Sequence, residues 1–215
     1  MTYHAGIFDL DGTLLNTLAD LGNSVNRVLV DMEFPPHPIE DYRLFVGNGA
    51  EKLILRALPE NNRDKQTVSA CLNAFLEDYH KNWNINTRPY QGIPELLDAL
   101  KQRGFKLAVL SNKPHDIANL CVSELLPSRL DMVLGHCAGA SHKPNPAGAL
   151  EIARRLNIAP EAFLYFGDSG VDMETALAAH MFPVGVLWGF REAVELERSG
   201  ARVLISHPLE GLDLL

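Results

Sequence analysis

The chain has little cysteine, no surplus of positive charge and no long hydrophobic run, and each lack removes a class of protein. Three cysteines, Cys71, Cys121 and Cys137, are scattered and odd in number, so neither a disulfide framework nor a zinc site is suggested, and reduced core or surface thiols are expected. Lysine and arginine number 19 against 27 aspartates and glutamates, a formal net charge of -8, which leaves no basic footprint for nucleic acid. No apolar run is long enough to span a bilayer, and the start carries no basic and apolar leader, so no membrane partner is expected and the cytoplasm is the default location. Repeats and low-complexity tracts are also missing. What is present is an apolar fraction of 47% over 215 residues, enough for a real core in one large domain or in one domain carrying a smaller insert.

Charge stands out where the apolar runs end. Tyr3 to Phe8 reads as a buried strand, and Gly12 lets the chain leave the sheet edge in a tight turn. Asp9 and Asp11 then fall at the carboxyl end of that strand, where open α/β sheets place their ligands. Asp-Gly after apolar residues is also among the commonest turn signals. A second run, Phe163 to Gly167, ends in Asp168-Ser169-Gly170-Val171-Asp172 and supplies two more carboxylates in the same kind of position. Two such ends side by side would gather like charges that repel strongly unless a cation intervened. Carboxylates, a main-chain carbonyl and water suit Mg2+.

A third strand-like run, Lys106 to Leu110, delivers Ser111-Asn112-Lys113-Pro114 to its end. Ser111 offers a hydroxyl, and Asn112 a side-chain amide and a backbone N–H, all suitable donors to phosphoryl oxygens. Lys143, in His142-Lys143-Pro144-Asn145-Pro146, precedes a helix expected over 147–156 and would bridge a nucleophile and a phosphate as a point charge.

In this order, Asp-x-Asp-Gly-Thr, Ser-Asn, Lys-Pro and Gly-Asp-Ser-x-x-Asp resemble the four motifs of the haloacid dehalogenase-like hydrolase superfamily over nearly the whole chain. The resemblance implies an α/β fold, a Rossmann-like parallel sheet flanked by helices, and a Mg2+-dependent phosphatase. It makes Asp9 the nucleophile that forms an aspartyl-phosphate and Asp11 the general acid and then base, its backbone carbonyl also on the metal. Asp168 becomes a metal ligand, Asp172 supports the metal or its waters, and Ser111, Asn112 and Lys143 hold the phosphoryl group. The chemistry is coherent on its own terms. A carboxylate needs no deprotonation at neutral pH, so positioning and charge neutralisation carry most of the catalysis. Asp11 matters for reaction class, because a leaving alkoxide must be protonated and a water later deprotonated. Dehalogenase members of the superfamily lack that second aspartate.

Between the first motif and the second lies a helical stretch. Leu18, Leu21, Val25, Val28, Leu29 and Met32 recur with helical spacing and stop at Phe34-Pro35-Pro36; Leu53, Leu55, Leu58, Val68, Leu72, Phe75, Leu76 and Tyr79 continue it. From about residue 88 the pattern becomes βαβ-like: a helix around Ile93 to Leu100 ended by Gly104, the Lys106 strand, and further strands at 132–135, 183–187 and 202–206. A core of residues 1–15 and 89–215 split by a helical insert at 16–88 is therefore expected. The insert resembles the small helical cap of the superfamily, which would exclude water and supply substrate contacts. Arg43 and the loop Gly47-Asn48-Gly49 are its candidate contacts. Arg43 would meet a carboxylate, and the glycines would let backbone N–H groups approach a ligand. Alternatively, the glycines merely join two helices and Arg43 is solvated.

Arg-x-x-Val-Gly-Asn-Gly-Ala, Tyr90-x-Gly92, Ser111 to Pro114 and the run Gly185 to Phe190 further resemble phosphoglycolate phosphatases, favouring a small phosphate monoester such as 2-phosphoglycolate. Two positions depart from the pattern: Asn16 stands where many relatives are acidic, and His180 where a glycine commonly follows the fourth motif. Sugar-phosphate phosphatase, pyrophosphatase and β-phosphoglucomutase-like activities are the alternatives, with a non-catalytic binding role less compatible with the intact motifs. His142 and His180 are expected to be surface or satisfied histidines, and Trp83 and Trp188 packing residues. Monomer and homodimer both stay open.

Overall fold

Short apolar segments make the middle of the sheet, which is why the charged residues that follow them collect at one edge. The computed structural model describes residues 3–137, 139 and 141–215. Its strands are β1 (Ala5–Phe8), β2 (Leu15–Asn16), β3 (Arg88–Pro89), β4 (Lys106–Pro114), β5 (Met132–His136), β6 (Phe163–Gly167), β7 (Phe182–Val186) and β8 (Val203–Ile205). Six of them pair in parallel in the order β5-β4-β1-β6-β7-β8. The α/β class expected from the motifs is the class found.

The first strand of the chain is thus central. Phe8 lies opposite Val109 on one side and Phe166 on the other. Because side chains alternate across a strand, Ala5, Ile7, Phe163 and Tyr165 face one layer, and Phe8, Val109, Leu164 and Phe166 the other. Both faces are covered, as parallel sheets require. The helices are α1 (Leu18–Asp31), α2 (Tyr42–Phe45), α3 (Ala50–Ala57), α4 (Lys65–Asn82), α5 (Ile93–Gln102), α6 (His115–Leu125), α7 (Ala147–Leu156), α8 (Gly170–Ala178) and α9 (Ala193–Arg198). Ala149, Ile152 and Ala153 of α7 and Ala176 of α8 cover the first face. Leu96 and Leu97 of α5 and Ile117 of α6 cover the second, and the same apolar cluster runs on into α1, α3 and α4.

Successive connections go left from β1 to β4 and β5, then return to its right at β6, so the strand order reverses between β1 and β6. That reversal opens a crevice at the carboxyl ends of the two strands.

Between β2 and β3 the described chain is helical. α1 packs on α4, and α3 on both α2 and α4. β2 and β3 pair antiparallel, Leu15 opposite Pro89 and Asn16 opposite Arg88, so the chain leaves and re-enters the sheet layer at one place. Buried Asp20 in the first turn of α1 reinforces this crossing by accepting hydrogen bonds from Asn86 N, Asn86 Nδ2, Thr87 N and Thr87 Oγ1 at 2.8 to 3.0 Å.

Strand bounds differ from the sequence reading by a residue at β5, β7 and β8, and two further differences bear on the site. β1 starts at Ala5 rather than Tyr3, although His4 still bonds to both neighbours through Ala162 O and Lys106 N. β4 does not end at Leu110 but continues to Pro114, with an irregularity against β5 between Leu110 and Pro114. Ser111, Asn112 and Lys113 are therefore extended backbone rather than a turn. Among the described residues no helix is long and apolar enough to cross a membrane. All three cysteines are free, Cys71 and Cys121 buried and Cys137 exposed.

Candidate active site

The crevice between β1 and β6 is built by two turns that need glycine. Gly12 has φ +89°, and a Cβ there would lie 2.2 Å from Asp168 Oδ2; only glycine lets the first turn close onto the second. Gly189 has the same role from the β7 side, since a Cβ would lie 2.2 Å from Asp168 Cβ and 2.5 Å from Gly12 O. Backbone thus packs directly around one carboxylate. Asp168 Oδ1 accepts the Thr13 hydroxyl at 3.2 Å, and Oδ2 accepts Phe190 N at 2.8 Å. Trp188 donates its indole N–H to Thr13 O at 2.9 Å, tying the two turns together while its ring packs against the core.

Asp172 sits in the first turn of α8, where the helix dipole favours an anion. Its Oδ2 accepts from Ser169 Oγ at 2.6 Å and Ser169 N at 3.2 Å, closing the helix N-terminus. Its Oδ1 receives Lys143 Nζ at 2.7 Å. The same Nζ lies 2.7 Å from Asp9 Oδ1, but off the hydrogen-bonding direction. Asp9 Oδ1 is buried and has no hydrogen-bond partner among the described residues.

Asp9, Asp168 and Asp172 can each present a carboxylate oxygen within 4.8 Å of the others, all three buried. Burial pushes the Asp9 carboxyl up, Lys143 opposes this, and Asp172 and Asp11 add repulsion, leaving it at about 7. Burial and then repulsion from Asp9 and Asp172 push Asp168 up to about 8. Burial would lower the Lys143 ammonium, but Asp172 and Asp9 outweigh it and hold it well above the ordinary lysine value. Lys143 therefore stays charged, yet one lysine does not neutralise three carboxylates. Hard oxygen donors gathered in a buried site and negative charge that one lysine leaves uncompensated fit a divalent cation such as Mg2+.

Asp11 lies apart from this trio. Its carboxylate is gripped by Lys113 Nζ, 2.9 Å from Oδ1 and 3.2 Å from Oδ2, and the same ammonium donates to Tyr79 Oη at 2.8 Å. The Asp11 side chain, expected near the metal, is thus held away from the oxygens of Asp9, Asp168 and Asp172.

Asp9, Asp11, Ser111 and Lys113 share a small recess of about 50 Å3, open on one side to solvent, with Gly47 and Gly49 on the opposite wall. Apolar side chains from α1, α3 and α4, among them Leu21, Leu53 and Phe75, complete it. The Asn112 side chain is already committed. Its Nδ2 donates to Gly47 O at 3.0 Å and Lys143 O at 3.3 Å, and its Oδ1 accepts Lys143 N at 2.8 Å. It braces the lysine loop against the glycine loop, so the Asn112 side chain, expected to hold a phosphoryl group, is already paired within the protein. Asn48 accepts from Arg56 Nη2 at 2.7 Å and does not line the recess. Arg43 lies outside as well, with Nε 2.6 Å from Glu40 Oε2 and Nη1 3.1 Å from Gly189 O. Its guanidinium ties the helical layer to the sheet layer and does not line the recess. His142 stacks on His136 with ring centroids 3.6 Å apart, at the mouth beside Gly49.

Sequence reasoning named Thr13, Tyr79 and Lys113 without giving them roles in the site. A signal existed for Lys113, a lysine directly continuing an apolar strand, and for Thr13, which follows the acidic turn. Nothing in the local sequence marks Tyr79, whose spacing is that of an ordinary core residue.

The model of the haloacid dehalogenase-like hydrolases matches residues 6–186. A phosphoglycolate phosphatase of Mannheimia succiniciproducens is 34% identical over 191 residues, covering 85% of each chain. One from Psychrobacter arcticus is 31% identical over 211 residues, 89% of this chain and 86% of its own. Among solved structures, one from Lactobacillus delbrueckii subsp. bulgaricus, described as a candidate phosphoglycolate phosphatase, superposes with a TM-score of 0.94 at 31% identity, covering 100% of this chain and 98% of that one.

Proposed function

The chain belongs to the haloacid dehalogenase-like hydrolases and is a phosphatase of phosphoric monoesters, and from that premise we propose that it is Mg2+-dependent, works through an aspartyl-phosphate on Asp9 and takes 2-phosphoglycolate. The observation that carries the mechanism is the trio Asp9, Asp168 and Asp172 with Lys143 Nζ 2.7 Å from both Asp9 and Asp172. Asp9, Asp168 and Asp172, the last directly or through water, would hold the ion. When bound, Mg2+ supplies the positive charge that lets these carboxylates ionise together and neutralises phosphoryl oxygens.

The chain's own residues then divide the work. Asp9 attacks phosphorus with a carboxylate oxygen while the leaving oxygen departs and takes a proton from Asp11. A water, deprotonated by Asp11, attacks the acyl phosphate and restores Asp9. Lys143 neutralises charge on the phosphoryl group, and the Ser111 hydroxyl and the backbone N–H groups around Ser111 and Asn112 donate to its oxygens. Residues 16–88 form a cap over the recess, its glycine loop 47–49 backing the substrate, with Asn48 of that loop held by Arg56 and Arg43 tying the cap to Gly189. The substrate assignment is supported by the relatives named above and by a recess small enough for a short leaving group.

Phosphate release with Mg2+ across a panel of monoesters and pyrophosphate tests this, with Asp9→Asn alongside. We expect 2-phosphoglycolate to be the best substrate and the variant, still folded, to lose activity by roughly 10³-fold or more. A folded Asp9→Asn protein with the wild-type rate would refute the mechanism, and a better substrate of another class would refute the substrate assignment alone.

A further inference from the structure

Four carboxylates and two lysines occupy the crevice, and the lysines divide them. Lys143 stands between Asp9 and Asp172, whereas Lys113 holds Asp11 alone. All three donors of the Lys113 ammonium are used, two on the Asp11 oxygens and one on Tyr79 Oη, and its Nζ also lies 4.5 Å above the Tyr79 ring. The Lys113 and Tyr79 side chains are nearly sealed from solvent. Lys113 therefore has no free donor for a phosphate and no exposure to serve as a general surface charge.

We propose that Lys113, steadied by Tyr79, is a positioning residue that fixes the Asp11 carboxylate at the leaving-group side of the recess and keeps it out of the cation-binding trio. The proposal rests on the reading of Asp11 as general acid and base. An aspartate on a turn has free side-chain rotation, and three neighbouring carboxylates make the cation site an alternative destination for it. A bidentate ammonium contact removes that freedom. The anchor is rigid because Lys113 lies in extended backbone of β4, with its own N–H 3.3 Å from Ser111 Oγ. Tyr79 comes from α4 on the other side of the recess, so the grip is completed only where the helical layer meets the sheet.

The test compares wild type, Lys113→Met, Asp11→Asn and the double variant on three esters: ethyl phosphate, 2-phosphoglycolate and p-nitrophenyl phosphate, whose nitrophenolate leaves without a proton. Lys113→Met should lower kcat/KM by about 10²-fold on both alkyl esters and by less than about threefold on the aryl ester, because only the alkoxides need the acid. In the Asp11→Asn background it should cause no further loss, since groups that act as a unit are not additive. An equal loss on all three esters, an additive loss in the Asp11→Asn background, or a KM increase confined to 2-phosphoglycolate would overturn the proposal, the last by making Lys113 a substrate-carboxylate ligand. Wild-type turnover of ethyl phosphate by Asp11→Asn would instead overturn the acid and base reading beneath it. Should Lys113→Met not fold by circular dichroism, Tyr79→Phe keeps the ring and deletes one acceptor. It should cost about fivefold on the alkyl esters alone, and an unchanged rate would equally overturn the proposal.

Discussion

At the scale of single residues, the crevice is a problem of placing like charges, and the chain solves it with backbone as much as with side chains. Gly12 and Gly189 let two turns close on Asp168, so its oxygens meet a hydroxyl and an amide before any ion is present. A position outside the crevice tests the same backbone logic. His180, just beyond α8, has φ +58° and is exposed, a left-handed conformation that asks an L side chain for about 1 kcal/mol. His180→Gly should therefore be neutral to stabilising by up to about 1 kcal/mol, with part of the gain offset by the freer unfolded chain, and leave kcat unchanged; urea denaturation and steady-state kinetics would check both. The departure of His180 from the usual glycine was readable from sequence, and its strained backbone follows from the same comparison. The acidic residues were readable too, because charge at the end of an apolar run has few structural uses. The Lys113 and Tyr79 partnership was not, because residues 34 apart meet only through the packing of α4 over β4.

Elements were legible in proportion to their periodicity. The helix expected over 147–156 is α7 to the residue, since alanine and isoleucine on the buried face and arginine on the other leave little choice. The pair β2 and β3 escaped notice, because two residues per strand carry no pattern. Asp20 escaped with it, although a carboxylate in the first turn of an otherwise apolar helix face is a visible anomaly. Its hydrogen bonds to residues 86 and 87 fasten the outgoing chain to the returning one. Asp20→Ala would strand the buried N–H and hydroxyl of Thr87, while exposed Asn86 turns to water, and should destabilise the protein by about 1 to 3 kcal/mol, read as a lower melting temperature in calorimetry. Loosening of the crossing should also raise amide exchange at Leu15, Asn16 and Arg88 before it does so in β1 or β6.

The molecule as a whole answers to pH and cation together. Asp9 rises to about 7 and Asp168 to about 8 from a carboxylate value of 3.8. A carboxyl raised in the fold binds its proton more tightly there than in the unfolded chain, so its contribution is fully present below about pH 4 and is lost as pH climbs through the folded values. Metal-free protein should lose stability between about pH 4 and 8 from these two groups, and excess Mg2+ should return it. The melting-temperature gain from Mg2+ should then grow from about pH 5.5 to about pH 8.5; a gain that is flat across this range would place the ion elsewhere. The alternation of strands and helices disclosed the class of fold, but not which strand lies at the centre, since that depends on pairings between segments far apart. The centrality of β1 has a consequence in time. Residues 5–8 leave the ribosome about a hundred residues ahead of β4 and further still ahead of β6. Until both exist, the apolar strand has no partners and Asp9 has no defined surroundings, so the proposed nucleophile is made well before the sheet that positions it. Nascent chains that stop short of residue 163 should be captured by holding chaperones and carry no activity, however well their helices have formed.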